Sequence, residues 1–166
     1  MWSRIALLLS ISLPVGVGAQ EKPDFSGNWT LNNDKSDPAP QFGQTSGRPA
    51  GGGLARPTSI FINQLGSTMS MELKSADQSR MLSYYLDGRE SHNPGMRGQD
   101  FVSKTRWEGS SLITEGENTF TSQMGEVKIK SKEIRTLSDD GKTLTVIATF
   151  TSPRGEVTRK LVYDKQ

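Results

Sequence analysis

The sequence predicts an all-β protein, an antiparallel up-and-down meander of about eight to ten strands closed into a small barrel. Essentially no helix is expected in the mature chain. Three observations carry this reading. From Thr58 onward, short segments with period-two alternation follow one another, each ended by turn residues. Asp87-Gly88, Met124-Gly125 and Pro153-Arg154-Gly155 supply the tight-turn chemistry that forces neighbouring strands to pair antiparallel. An open meander of this length would expose two unpaired edges, and closure removes them.

The chain opens with "MWSRIALLLSISLPVGVGAQ". Arg4 is a short basic region, Ile5 to Val17 is apolar but interrupted by Ser, Pro14 and Gly, and Val17-Gly18-Ala19 has the small residues of a cleavage site. Residues 1–19 are read as a secretory signal peptide too short and broken to persist as a membrane helix. Residues 20–166 then form one β-barrel domain, of ordinary single-domain size. The expected location is the periplasm or the extracellular space, with no integral membrane segment once the signal is cleaved.

The first strand is "GNWTL". Residues 35–57, "KSDPAPQFGQTSGRPAGGGLARP", are dense in Pro and Gly and are read as a flexible loop: Gly entropy and missing Pro donors oppose helix and strand alike. Then come "TSIFINQ", "TMSMELK", "RMLSYYL", "DFVSKTRW", "LITEGENTFTS", "VKIKSKEIRTL", "TLTVIATFT" and "VTRKLVY", each closed by a turn. Leu144, Val146, Ala148 and Phe150 share one face of their strand. Val157, Arg159, Leu161 and Tyr163 share one face of the last. In "VKIKSKEI" the odd-numbered Val127 and Ile129 are followed by the even-numbered Ile134, a phase slip that predicts a bulge near Ser131 to Glu133.

The formal charge of +2 falls by one with the loss of Arg4, and the basic residues are scattered. Nothing points to nucleic acid or an anionic membrane surface. With no Cys, stability must come from burial and strand pairing. His92 is the single His, in the loop "ESHNPGM", and has no partners for a metal site. No nucleophile elbow, triad or phosphate loop appears, so the chain is read as a non-enzyme without metal or cofactor.

The stretch Asp24-Phe25-Ser26-Gly27-Asn28-Trp29 resembles the opening strand of the calycins, the lipocalin and fatty-acid-binding families. "TRWEGSSLI", "DDGKTLTV" and the terminal "LVYDK" are similar in rhythm to the second half of fatty-acid-binding proteins. The chain also resembles small exported bacterial lipocalin-like proteins. The resemblance implies that Gly27 lets the strand approach the barrel wall, that Trp29 plugs one barrel end, and that Arg135 or Arg159 stacks across it. It implies a binding role for a small hydrophobic or amphiphilic molecule. There are departures: aligning the chain ends puts Leu161 where fatty-acid-binding proteins carry an Arg, Tyr163 matches their Tyr, and their earlier Arg falls near Ser131. The helical lid and the Thr-Asp-Tyr loop are absent.

The candidate ligand-binding residues are Arg159, Tyr163, Tyr84, Met71 and Trp107. An inward Arg159 requires an anionic or carbonyl partner; Met71 and Tyr84 suit an adaptable apolar cavity. The expected function is an exported binding protein holding a small apolar or amphiphilic ligand. The alternative is a non-enzymatic envelope interaction or structural protein with a filled barrel core. Ligand identity and oligomeric state are not encoded legibly.

Overall fold

Ten strands form one sheet in a computed structural model that describes residues 22–38, 56–75, 78–95, 100–122, 125–153 and 155–166. The expected signal peptide and most of the 35–57 loop lie outside the described residues. The strands are β1 (Gly27–Leu31), β2 (Ser59–Leu65), β3 (Thr68–Ser75), β4 (Gln78–Tyr85) and β5 (Glu90–Pro94). They continue as β6 (Asp100–Glu108), β7 (Ser111–Ser122), β8 (Gly125–Leu137), β9 (Thr143–Ser152) and β10 (Gly155–Lys165). The order is β4-β3-β2-β1-β10-β9-β8-β7-β6-β5, all antiparallel. Sequence neighbours pair except β4 and β5, β1 joins β10, and β4 and β5, the two ends of the order, come to lie side by side, so the meander curls into a nearly closed barrel. There is no helix among the described residues.

The seam between β4 and β5 is sewn by side chains. The Ser83 N–H donates to Asn93 Oδ1 at 2.6 Å, and Asn93 Nδ2 donates back to the Ser83 carbonyl at 2.9 Å. The Asn93 amide thus stands in for a peptide group. One pair further along, the Tyr85 N–H donates to Ser91 Oγ at 2.9 Å. Buried backbone groups need partners, and these two polar residues supply them where no backbone ladder runs.

Two sequence expectations are corrected here. β5, with His92 in it, was hidden: its inward residues Ser91 and Asn93 are polar, so the segment has no apolar alternation and ends on Pro94. His92 is therefore an outward strand residue, not a loop residue, beside Asp100, whose hydrogen bond raises the imidazole pKa. The bulge at Ser131 to Glu133 does not exist. β7 and β8 pair without a break from Asn118↔Ile129 to Leu112↔Arg135, and β8 and β9 from Lys130↔Thr151 to Leu137↔Leu144. The strand keeps its phase. Its inward positions change from apolar Ile129 to charged Glu133 and Arg135, while Ile134 turns outward between its partners Ile113 and Ile147.

One barrel end is closed by residues 22–29. Phe25 and Trp29 are fully buried, and Trp29 Nε1 donates to the Phe25 carbonyl at 2.9 Å. Phe25 in turn meets Trp107 with ring centroids 5.8 Å apart. Gln64 ties the segment to β2: its Oε1 accepts from the Phe25 N–H at 3.2 Å and its Nε2 donates to the Pro23 carbonyl at 3.2 Å. Gly27 has φ +138°, and a Cβ there would lie 2.7 Å from Lys165 Cε. Its bare backbone makes room for the Lys165 stem, which carries Nζ to 5.2 Å from the Trp29 ring. The core spreads from this plug through Ile60, Ile62, Met69, Met71, Leu144 and Leu161.

Candidate functional site

The barrel interior has two unlike walls. The wall of β1 to β4 is apolar, because alternate residues of "SIFINQL", "TMSMELKS" and "QSRMLSYY" place Ile60, Ile62, Met69, Met71, Leu82 and Tyr84 inward. The middle of the wall of β5 to β8 is polar. Along it, Ser91, Asn93, Ser103, Thr105, Thr114 and Arg135 are all buried.

The centre of the polar wall is Arg135, only 3% exposed. Its Nη1 donates to Thr114 Oγ1 at 2.9 Å, and Thr114 shares a 2.9 Å hydrogen bond with Thr105 Oγ1. Its Nη2 donates to the Glu133 carboxylate, two residues back on the same face of β8. Its guanidinium carbon lies 5.6 Å from the Tyr84 ring centroid. A buried guanidinium costs several kcal/mol of desolvation unless paired and hydrogen-bonded. Here the ion pair and the Thr114 bond meet most of that demand. Arg135 Nε, however, is buried with no partner, as is the Ser103 hydroxyl. Such orphan polar atoms are rare in native interiors.

Tyrosines flank the cluster. Burial pushes Tyr84 up to about 12, against the opposing pull of Arg135. Burial, helped by Glu133, pushes Tyr163 higher still. Both phenols are neutral across the physiological range and act only as hydrogen-bonding groups. Burial and the neighbouring Arg56 lower the Arg159 pKa, with Asp37 opposing, and the guanidinium stays charged.

The sequence-predicted residues fall in different places. Tyr84 stands in the polar cluster, and Tyr163 is close enough to feel the charges of Glu133 and Arg135. Met71 belongs to the apolar wall, opposite Ile62 and Leu82. Trp107 packs on the end plug against Phe25. Gly27 and Trp29 are at that plug. Arg159 faces inward on β10 but six residues from Lys165, about 20 Å along the strand, so it cannot stack on Trp29. Arg135 lies over Tyr84, and the cation over Trp29 is Lys165. Sequence reasoning missed Glu133, Thr105, Thr114 and Ser103 as site residues. The signal was present in the broken alternation of β8: it marks charged residues turned inward, not a bulge.

The outer face of the same strands is different in kind. An open groove of about 650 Å³ runs over Glu90, Lys104, Glu115 and Lys132. Its charges are matched across strands, Lys104 with Glu90 and Lys132 with Glu115, each at 3.4 Å, and all are well exposed. Exposed pairs of this kind contribute little.

No family model and no curated protein matches the chain. Solved structures do. Zebrafish ileal bile acid-binding protein complexed with cholic acid is 17% identical, with a TM-score of 0.59 over 86% of this chain and 98% of that one. REP1-NXSQ fatty acid transporter is 15% identical, with a TM-score of 0.58 over 86% of this chain and 96% of that one. At these identities the likeness establishes the fold, a calycin-like barrel.

Proposed function

We propose that this chain is an exported, non-enzymatic binding protein that holds a small apolar or amphiphilic molecule between the two interior walls of its barrel. The observation that carries the reading is the buried Arg135–Glu133–Thr114 cluster with its orphan Nε. Replacing a buried ion pair by apolar residues is often neutral or stabilising, so folding gives no reason to keep one. A ligand with an apolar body and a polar group does: the apolar wall takes the body, and the polar wall takes the group. Arg135 stands on β8, two strands before β10, with Tyr163 on β10. The named molecules of the structural neighbours, cholic acid and fatty acid, are of the same broad class.

The test is native mass spectrometry of the protein purified from its own host. The expected spectrum contains a complex whose extra mass departs on collisional activation, on a chain beginning at Gln20. A spectrum of ligand-free protein alone, from a preparation that also fails to take up hydrophobic probes, would refute binding. An intact N-terminus starting at Met1 would refute export by a cleaved signal. The second reading, a filled barrel acting through its outer surface, is favoured by Phe101, whose ring rests on Gly116 inside the barrel. A ligand-free spectrum is its expected outcome.

A further inference from the structure

The polar wall contains a transverse row of four very small residues. Ser91 on β5 is paired with Ser103 on β6, Ser103 with Gly116 on β7, and Gly116 with Ser131 on β8. All four lie on the inner face at one level of the barrel, so this stretch of wall contributes almost no side-chain volume to the interior. The volume is supplied by one residue from the next level. Phe101, two residues before Ser103 on the same strand, lays its ring on Gly116 so closely that a Cβ there would sit 2.4 Å from Cζ and 2.7 Å from Cε2.

The hydroxyls of the row are not equivalent. Ser91 Oγ accepts from the Tyr85 N–H and holds the β4–β5 seam. Ser131 Oγ lies 3.5 Å from the Gly116 carbonyl. Ser103 is only 2% exposed, and its hydroxyl has no partner. A small-residue row alone is only a packing pattern. A buried, unpartnered hydroxyl in the middle of it is an unmet hydrogen-bonding demand at the place where a movable ring now stands.

We infer that the row Ser91–Ser103–Gly116–Ser131 is the seat of the ligand's polar end, that Ser103 is its hydrogen-bonding partner, and that Phe101 occupies the seat until the ligand displaces it. The polar end is uncharged, a hydroxyl or a carbonyl. A serine hydroxyl donates to a carbonyl and either donates to or accepts from a hydroxyl. The charged groups nearest along the wall, Glu133 and Arg135, already neutralise each other. The inward guanidinium of Arg159 stands on β10, four strands from Ser103. An incoming carboxylate at Ser103 would be desolvated next to Glu133, which repels it. The ring of Phe101 acts as a competing internal occupant, so the apparent affinity is lowered by the fraction of molecules in which it stands in the seat. This inference rests on the binding role proposed above and names the ligand class for it.

The test uses the mature protein, residues 20–166, and three probes. Diphenylhexatriene, a hydrocarbon, reports occupancy of the interior by its fluorescence. Dodecanol and dodecanoate, matched in chain length, compete for it. In the wild type, dodecanol is expected to displace diphenylhexatriene at concentrations at least about tenfold below dodecanoate. Ser103→Ala is expected to weaken dodecanol several-fold, up to about tenfold, while leaving diphenylhexatriene binding unchanged. Phe101→Ala is expected to tighten diphenylhexatriene binding, and Phe101→Leu, which keeps more of the packing, to tighten it less; circular dichroism melts confirm that each variant is folded. Equal or better competition by dodecanoate overturns the uncharged polar end. Unchanged dodecanol affinity in Ser103→Ala overturns the role of Ser103. Weaker diphenylhexatriene binding in both folded Phe101 variants overturns displacement. Each of those results leaves the binding role standing, whereas a wild type that takes up none of the three probes overturns the binding role and this inference together.

Discussion

Gly116→Ala tests the packing inside the barrel most directly. Gly116 lies in the middle of β7, where its backbone is ordinary extended strand, so the substitution acts through space and not through φ. The new methyl would sit 2.4 Å from Phe101 Cζ, 2.7 Å from Cε2 and 2.9 Å from the Val102 carbonyl oxygen. Comfortable carbon contacts are about 3.5–4.0 Å. The ring can rotate away; the carbonyl, fixed in the β6–β7 ladder, cannot. Overpacking of this kind costs about 1–3 kcal/mol. Replacing Gly in a strand offsets about 0.5–1 kcal/mol of that, leaving a net loss of roughly 0.5–2 kcal/mol. At about 2–4 °C per kcal/mol, calorimetry should show Tm lower by a few degrees. The decisive comparison is the same substitution made in Phe101→Ala. With the ring gone the 2.9 Å carbonyl contact remains, so Gly116→Ala should still destabilise, but by at least about 0.5 kcal/mol less than in the wild type, a coupling typical of residues in contact. An equal penalty in both backgrounds would show that the ring does not stand on Gly116.

Three further outcomes follow from the same interior. Glu133→Gln removes the counter-charge of a guanidinium whose side chain is 4% exposed, while Glu133 itself is 31% exposed. Breaking one side of a buried pair costs about 3–5 kcal/mol, and the partial exposure of Glu133 places this loss near the lower figure. Urea denaturation should recover most of it in Glu133→Gln combined with Arg135→Met. Tyr84, pushed up to about 12, makes the fold sensitive to alkali. Below about pH 10 the phenol is neutral in folded and unfolded chains alike. Between pH 10 and 12 only the unfolded chain releases the proton, so stability falls as pH rises, by about 2–3 kcal/mol. Denaturation midpoints measured at pH 9 and pH 11.5 should differ less in Tyr84→Phe. Asn93→Ala strips the Ser83 N–H and carbonyl of their partners at the seam. Hydrogen exchange at the Ser83 amide should accelerate at least tenfold while amides of the β9–β10 ladder are unaffected, and equal protection would show that the seam does not depend on Asn93.

Much of the barrel was legible because its cause is local. Period-two alternation in β2, β3, β4, β9 and β10 and glycine turns such as Gly88 and Gly141 are properties of a few consecutive residues. Where inward residues are polar the same rule is silent. β5 went unseen because Ser91 and Asn93 point into the barrel to serve the seam. The second half of β8 was misread because Glu133 and Arg135 face in and Ile134 faces out. Among the site residues, Tyr84 and Tyr163 could be placed inward from their strands alone. The partnership of Arg135 with Glu133, Thr114 and Tyr84 could not, since Tyr84 lies far from the others in sequence and meets them only across the barrel.

By itself, then, the amino-acid order determined that the chain forms antiparallel strands with short turns, which faces of most strands are apolar, and that an indole stands at the first strand. Those are consequences of side-chain period and backbone freedom over a few residues at a time. Only the tertiary structure decided that β4 and β5 close through Asn93, that two walls of unlike chemistry face each other, and that Phe101 fills the space Gly116 leaves. Closure brings strands distant in sequence to a common interior, and hydrogen-bond partnership and excluded volume exist only between groups already brought together.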